Sequence, residues 1–224
     1  MKILLVAATP FEINPGLKVF KQNLLEFQPN RFQKGASGLD ILITGVGIPA
    51  TIFRLTNHLS VKSYDLIINA GIAGSFRSDI ELGTVLQVVE DRFGDLGVEL
   101  ANAEFQDLFD MELAESNAFP YQEGRLLNRE AGAFNFLPKA SAITVNKVHG
   151  AAASIERIQK KYDADIETME GAAVFYVAQQ KQTKCLQIRS ISNHVEPRNR
   201  DAWEIGLAIK QLNEVLIPII ATLL

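Results

Sequence analysis

Short apolar runs recur along the chain, each bounded by glycine, proline or polar residues. Six of them are too short for helices and too continuous for half-exposed strands. Lys2–Ala8, Leu39–Thr44, Asp65–Ala70, Thr84–Val89, Ser141–Val145 and Lys184–Ile191 read as strands buried on both faces. The segments between them carry apolar residues at helical spacing. Leu17, Phe20, Leu24 and Leu25 mark one face, Ile52, Leu55 and Leu59 a second, and Ile155, Ile158 and Tyr162 a third. A last helix, from about Ala202 to Leu224, carries Ile205, Leu207, Ile209, Leu212, Leu216 and Ile220. Strand and helix alternate, which predicts an α/β chain with helices on both faces of a sheet and right-handed connections between parallel strands. With no repeat, low-complexity tract or linker in view, a single domain over residues 1–224 is the expectation.

The stretch Asp91–Pro138 breaks the pattern. It is rich in charge and phenylalanine (Phe93, Phe105, Phe109, Phe119, Phe134, Phe136) without a clear period. It predicts long loops with one short helix near Glu104–Glu115, an irregular insertion of the kind that often covers a ligand site.

Composition narrows the function. A chain of 224 residues with 47% hydrophobic content supplies a full core and excludes disorder. Its 22 basic and 26 acidic side chains leave a net charge of −4, without the basic stripe that a nucleic-acid binder needs. The single cysteine, Cys185, excludes an intramolecular disulfide framework and suits a reducing compartment. Pro10 and Glu12 cut short the one run that could open a signal peptide, and the apolar tail Leu216–Leu224 is too short to span a bilayer. A cytoplasmic protein with no membrane partner is expected.

One motif misleads. Gly45-Val46-Gly47-Ile48-Pro49-Ala50 follows a strand and fits the loose dinucleotide pattern, with Asp65 about where a ribose-binding acid would stand. Asp65, however, precedes its strand instead of closing it, and Pro49 removes an amide from the turn that would cradle a pyrophosphate. A tight glycine turn between strand and helix is the simpler reading, and a dinucleotide-dependent oxidoreductase is a remote one.

Ligands in open α/β sheets bind beyond the carboxyl ends of strands, so polar residues there carry most information. Glu12 follows the first strand. Gly71-Ile72-Ala73-Gly74 follows the third as a small-residue turn. Met169-Glu170 precedes the helical Gly171–Phe175, and Asn193-His194 follows the strand Lys184–Ser192. Singly, each fits an ordinary structural role: helix-end complementation for the glutamates, core filling for Met169, turn capping for Asn193.

Together, Phe11-Glu12, Gly71-Ile72-Ala73-Gly74, Glu167-Thr168-Met169-Glu170-Gly171-Ala172 and Arg189-Ser190-Ile191-Ser192-Asn193 stand in the order used by the purine nucleoside phosphorylase and nucleosidase superfamily. The chain resembles the methylthioadenosine/S-adenosylhomocysteine nucleosidase branch over nearly its whole length, least in Asp91–Pro138. The resemblance implies a three-layer α/β/α fold with a central mixed sheet, and a nucleoside substrate handled without metal or cofactor. It implies that Glu170 accepts hydrogen bonds from the ribose hydroxyls and favours the oxocarbenium ion. Met169 packs on the sugar or base, Ala73 and Gly74 line the substrate, and Glu12 positions and deprotonates the attacking water. Phosphorylases of the superfamily carry arginines in the first loop and near the glycine turn. Here those places hold Thr9–Asn14 and Asn69-Ala70, so water and not phosphate is the implied nucleophile. Relatives are commonly homodimers or larger, which makes a homo-oligomer the expectation.

The departure lies at Asn193, where adenine-specific nucleosidases place an aspartate. An asparagine amide nitrogen offers two donors, which suit acceptors at N7 and O6 of a 6-oxopurine. Facing an amino group instead, it would cost about 1–3 kcal/mol in a buried site. With Ser192-Asn193-His194-Val195-Glu196-Pro197-Arg198, the chain looks like the futalosine hydrolase family, which releases hypoxanthine from futalosine in an alternative menaquinone route. Arg92, Arg125, Arg198 and Arg200 are candidates for that substrate's carboxylate. Thr144–His149 falls where relatives contact the purine, and without an aspartic acid the leaving base is either stabilised by hydrogen bonding or protonated by His194 or a water. An adenine nucleosidase and a non-catalytic nucleoside-binding domain are the alternatives.

Overall fold

The computed structural model describes residues 1–128, 132 and 135–224; Phe134 of the irregular stretch lies outside them. The first apolar run forms β1 (Lys2–Ala7), whose alternation divides it between two cores. Ile3, Leu5 and Ala7 face one and Leu4 and Val6 the other, all fully buried. There follow α1 (Pro10–Asn23), the hairpin of β2 (Leu25–Gln28) and β3 (Arg31–Lys34), β4 (Ser37–Ile43), α2 (Ile48–Val61), β5 (Leu66–Ser75) and β6 (Val85–Asp91). Next come β7 (Gly97–Glu99), β8 (Phe105–Asp107), β9 (Leu126–Leu127), β10 (Lys139–Thr144), α3 (Ala152–Tyr162), β11 (Ile166–Thr168), α4 (Gly171–Gln180), β12 (Lys184–His194) and α5 (Ile205–Leu223).

Ten strands make one mixed sheet in the order β11-β10-β6-β12-β5-β1-β4-β3-β2, with β9 on the side of β6. Here β1 runs parallel to β4 and β5, while β12 is parallel to β5 and antiparallel to β6. The far end of the ten-residue β5 also pairs with β11, so the sheet curls back on itself. Helices α1 and α5 cover one face through Ile13, Phe20, Leu212, Leu216, Ile219 and Ile220. On the other face α2 and α4 pack Leu55, Ala172, Val174, Phe175 and Val177, and α3 adds Ile158 over Ile143 and Val145. Each large aliphatic or aromatic side chain so buried contributes about 1.5–3 kcal/mol. This is the expected three-layer α/β/α arrangement. By length and apolarity alone the 200–223 stretch could cross a bilayer; in the fold its buried stripe, Ala208, Leu212, Leu216, Ile219 and Ile220, faces the sheet.

Three expectations need correction. Gly71–Gly74 is not a turn: it continues β5, paired with Arg189–Asn193 of β12 across a register shift that leaves Ser192 unpaired, because small residues do not interrupt a strand that a neighbour holds extended. Asn193-His194 accordingly ends β12 instead of following it. No helix forms at Glu104–Glu115, where β8 pairs with β7 and leads into turns. There the side chain of Asp107 takes the amides of Phe109 and Asp110, offering the backbone an alternative to helical bonding. The β2–β3 hairpin at the sheet edge, in the mostly polar 25–34 stretch, is an addition.

The start of α1 is fixed from two sides. Thr9 and Glu12 form a capping box, with Pro10 in the first turn. At Pro15, where a helix loses an amide, Asn213 of α5 reaches in. Its Nδ2 donates to the carbonyl of Glu12 at 2.8 Å, and its Oδ1 accepts the amide of Gly16 at 2.9 Å. The backbone of Glu12 is thus tied to the opposite end of the chain.

Candidate active site

Two buried carboxylates meet one buried guanidinium at the carboxyl ends of β1 and β5. Glu12, 7% exposed, accepts the amide and hydroxyl of Thr9 on Oε2 at 2.9 and 3.2 Å and the amide of Ile72 on Oε1 at 3.3 Å. Glu170, the residue that opens α4, is 5% exposed and accepts the amide of Gly47 on Oε1 at 3.0 Å. Arg189 of β12 lies close by, 1% exposed: Nη2 donates to Asn69 Oδ1 at 2.5 Å and Nη1 stands 3.9 Å from Glu170 Oε2. Gly71 makes the approach possible. A methyl group there would fall 2.2 Å from Arg189 Nη1 and 2.8 Å from Glu12 Oε1. Burial raises the Glu170 carboxyl above the ordinary glutamate range, and the nearby charge of Glu12 adds to the rise. The charge of Arg189 and the Gly47 amide oppose it.

The Gly45–Gly47 turn therefore has a use unrelated to a dinucleotide. Gly45 and Gly47 take φ of 79° and 92°, a region that favours glycine, and Gly47 turns its amide onto Glu170. Asp65 accepts the amide of Lys2 at 2.7 Å and serves the strand ends.

Behind Glu170 the first amides of α4 are capped by hydroxyls from the sheet, Gly171 by Thr168 at 3.3 Å and Ala172 by Thr144 at 2.7 Å. Thr144 donates in turn to Asp91, whose other oxygen takes a bond from Gln187 at 3.0 Å. Asp91 is wholly buried, which pushes its carboxyl up to about 6 against those two bonds.

Further along β5 and β12, Ala73 is buried and Gly74 half-buried, and Asn193 stands beside Gly74. A methyl at Gly74 would lie 3.2 Å from Asn193 Nδ2. Asn193 Nδ2 donates to the carbonyl of His194 at 2.9 Å, and Oδ1 accepts from Ser192 at 2.8 Å. One of its two amide protons is thus already used, a correction to the pair of donors read from sequence. Met169, between β11 and α4, is half-buried. All six candidates, Glu12, Ala73, Gly74, Met169, Glu170 and Asn193, fall at the carboxyl ends of β1, β5, β11 and β12.

Arg189 is the residue that sequence reasoning passed over, hidden inside an otherwise apolar strand. The readable signal was a charged residue at a position that must be buried. Of the arginine candidates, Arg125 is paired with Glu90 and Glu123, Arg92 lies over Tyr162, and Arg198 and Arg200 both lie over Trp203. A groove of about 450 Å³ at the opposite, amino ends of β1 and β4 is lined by Phe27, Arg31, Asp40, Lys62 and Tyr64. Asp40 there is bonded to Arg31, Lys62 and Tyr64, which leaves no carboxylate available for chemistry.

The chain is similar to known proteins over nearly its full length. The phosphorylase superfamily description matches residues 2–224. A futalosine hydrolase from Streptomyces coelicolor is 30% identical over 186 residues, covering 80% of this chain and 77% of that protein. One from Acidothermus cellulolyticus is 28% identical over 179 residues, 77% and 71% of the two chains. Among solved structures, futalosine hydrolase of Helicobacter pylori superposes with a TM-score of 0.80 at 16% identity, over 99% of this chain and 98% of the other. A 5'-methylthioadenosine/S-adenosylhomocysteine nucleosidase from Neisseria meningitidis, in complex with methylthio-immucillin-A, gives 0.77 at 15% identity over 99% of both. The family description and the sequence relatives agree, and the chain belongs to the phosphorylase superfamily and, within it, to the futalosine hydrolase family.

Proposed function

We propose that this protein hydrolyses the N-glycosidic bond of futalosine, releasing hypoxanthine and dehypoxanthine futalosine for an alternative menaquinone route. The observation that carries this is the pair of buried carboxylates, Glu12 and Glu170, gathered with Arg189 beside Gly71. Curated relatives carrying the futalosine hydrolase name support the choice of substrate.

Breaking the C1′–N9 bond places positive charge on the ribose and negative charge on the base. Glu170, held by the Gly47 amide, accepts the ribose hydroxyls and stabilises the positive sugar. Glu12, held by Thr9 and Ile72, orients a water and takes its proton as oxygen bonds to C1′. Arg189 keeps the two carboxylates from repelling each other in a site of low polarity. Arg189 is bonded to Asn69 and stands beside Glu170, and the first loop, Thr9–Asn14, brings no arginine for a phosphate, which supports water as the nucleophile. Asn193 uses its remaining amide proton on an acceptor of a 6-oxopurine. Ala73, Gly74 and Met169 form the walls. The protein acts in the cytoplasm as a single folded unit over its length and as a homo-oligomer.

The test is base release from futalosine, inosine and methylthioadenosine, each with and without phosphate, resolved by chromatography. Hypoxanthine from futalosine, indifferent to phosphate, is the expected result. Adenine from methylthioadenosine would transfer the function to the adenine nucleosidases, whose fold this chain shares. Binding without release from any nucleoside would make it a carrier instead of an enzyme.

A further inference from the structure

A departing purine anion needs a proton, and the groups nearest Asn193 do not supply one. The asparagine amide is not acidic, and one of its protons is committed to the carbonyl of His194. His194 Nε2 lies 3.1 Å from the carbonyl of Ile80, which holds that nitrogen's proton on the backbone. His149 is placed differently. Its backbone amide donates to Glu167 Oε1 at 3.0 Å, and its ring Nδ1 is paired with Oε2 of the same carboxylate. The pairing assigns a proton to Nδ1 and leaves Nε2 without a hydrogen-bond partner among the described residues.

Sheet register brings this pair to the base end of the site. Glu167 of β11 stands opposite Gly74 of β5, and Gly74 stands opposite Asn193 of β12. The loop that carries His149 is pinned at its other end beside the sugar carboxylate. Asn146 Oδ1 accepts the amide of Ile48 at 3.3 Å, next to the Gly47 amide that holds Glu170. The 145–150 loop therefore runs from the Glu170 end to the Asn193 end. The side chain of Glu167 is only 3% exposed and that of His149 13%, so the pair is shielded but not closed off.

We propose that His149, held by Glu167, is the acid that protonates the purine as it leaves. This rests on the site being a nucleoside hydrolase. As the C1′–N9 bond breaks, its electron pair passes to the purine, and the proton on His149 Nε2 moves to N7. The water oxygen bonds to C1′, and its proton goes to Glu12. Glu12 then loses that proton to solvent and His149 takes one up, so one water is consumed and both groups are restored. Glu167 is the positioning residue: a buried carboxylate on Nδ1 orients the ring and stabilises it while charged. Asn193 keeps its free amide proton for O6.

The test compares the full-length chain with His149→Gln and Glu167→Gln on futalosine and on 4-nitrophenyl β-riboside, whose leaving group departs without a proton. With futalosine, His149→Gln is expected to lower kcat roughly 10²–10⁴-fold with KM within about threefold. Its loss on the nitrophenyl riboside is expected to be at least tenfold smaller. Glu167→Gln should show the same divergence at smaller amplitude, and it carries the test if His149→Gln does not fold. Equal losses on both substrates, a loss confined to KM, or a retained futalosine rate would overturn the assignment. Failure of the unaltered protein to release base from any nucleoside would instead overturn the hydrolase reading beneath it.

Discussion

Glu12→Gln separates chemistry from architecture, because the two roles of Glu12 have different magnitudes. Architecturally, the carboxylate caps α1 and accepts the Ile72 amide. A glutamine with its carbonyl toward Thr9 keeps the capping bonds and gives up only the 3.3 Å bond to Ile72, a cost of about 1 kcal/mol. A domain with a margin of about 5–15 kcal/mol stays folded after such a loss. Chemically, the amide cannot take a proton from water, and loss of a general base costs roughly 10²–10⁴ in rate, or about 3–5 kcal/mol of barrier. The expected result is a melting temperature lowered by a few degrees, substrate binding largely intact, and hypoxanthine release slowed at least a hundredfold. Chromatographic initial rates and a thermal melt on the same preparation measure both. A variant that binds, stays folded and turns over within threefold of the parent would refute Glu12 as the base.

Other substitutions probe the neighbouring contacts. Gly71→Ala puts a methyl 2.2 Å from a fully buried guanidinium, so about 1–3 kcal/mol of stability and most activity should be lost, read by melting and base release. Asn193→Asp should weaken hypoxanthine release and admit adenine nucleosides. An unchanged base preference across futalosine, inosine and methylthioadenosine would defeat the amide argument. Asp91 supplies a test by pH. Its folded value of about 6 lies above the ordinary 3.8, so the folded state binds the proton more tightly and stability falls as pH rises between those values. Asp91→Asn removes that dependence, and its new amide can donate to Gln187 Oε1, which has no partner among the described residues. The variant should match the parent near pH 4 and exceed it by up to about 3 kcal/mol above pH 6, measured by denaturant unfolding at both.

Legibility in the sequence followed burial. The six apolar runs became β1, β4, β5, β6, β10 and β12 because a short run of consecutive apolar residues must be covered on both sides, and an interior strand between two helix layers provides that cover. The end of β5 was not legible because glycine and alanine carry no packing signal of their own; what keeps Gly71–Gly74 extended is β12, over a hundred residues away. The turns after β8 were hidden for a different reason: acidic side chains that compete for backbone amides leave no periodic trace. Glu12, Glu170 and Asn193 were legible only as a set read against a family pattern. Arg189 was readable only as a charge inside a strand that must be buried, and the His149–Glu167 pair depends on strand register, which one sequence does not display.

The site is built into the sheet, not draped over it. β5 is paired along its length with β12, over Leu66–Asn69 with β1 and at its far end with β11. The amide protons that β5 shares with β12 and, over Leu66–Asn69, with β1 should therefore exchange with deuterium only when the whole molecule opens. Substrate can add little protection there, and its footprint in an exchange experiment should appear at residues 44–49 and 145–150, the two loops that meet over Glu170. Change of base preference by mutation is confined in the same way: the cost of altering β5 falls on the entire fold, whereas the loops can be rewritten around it.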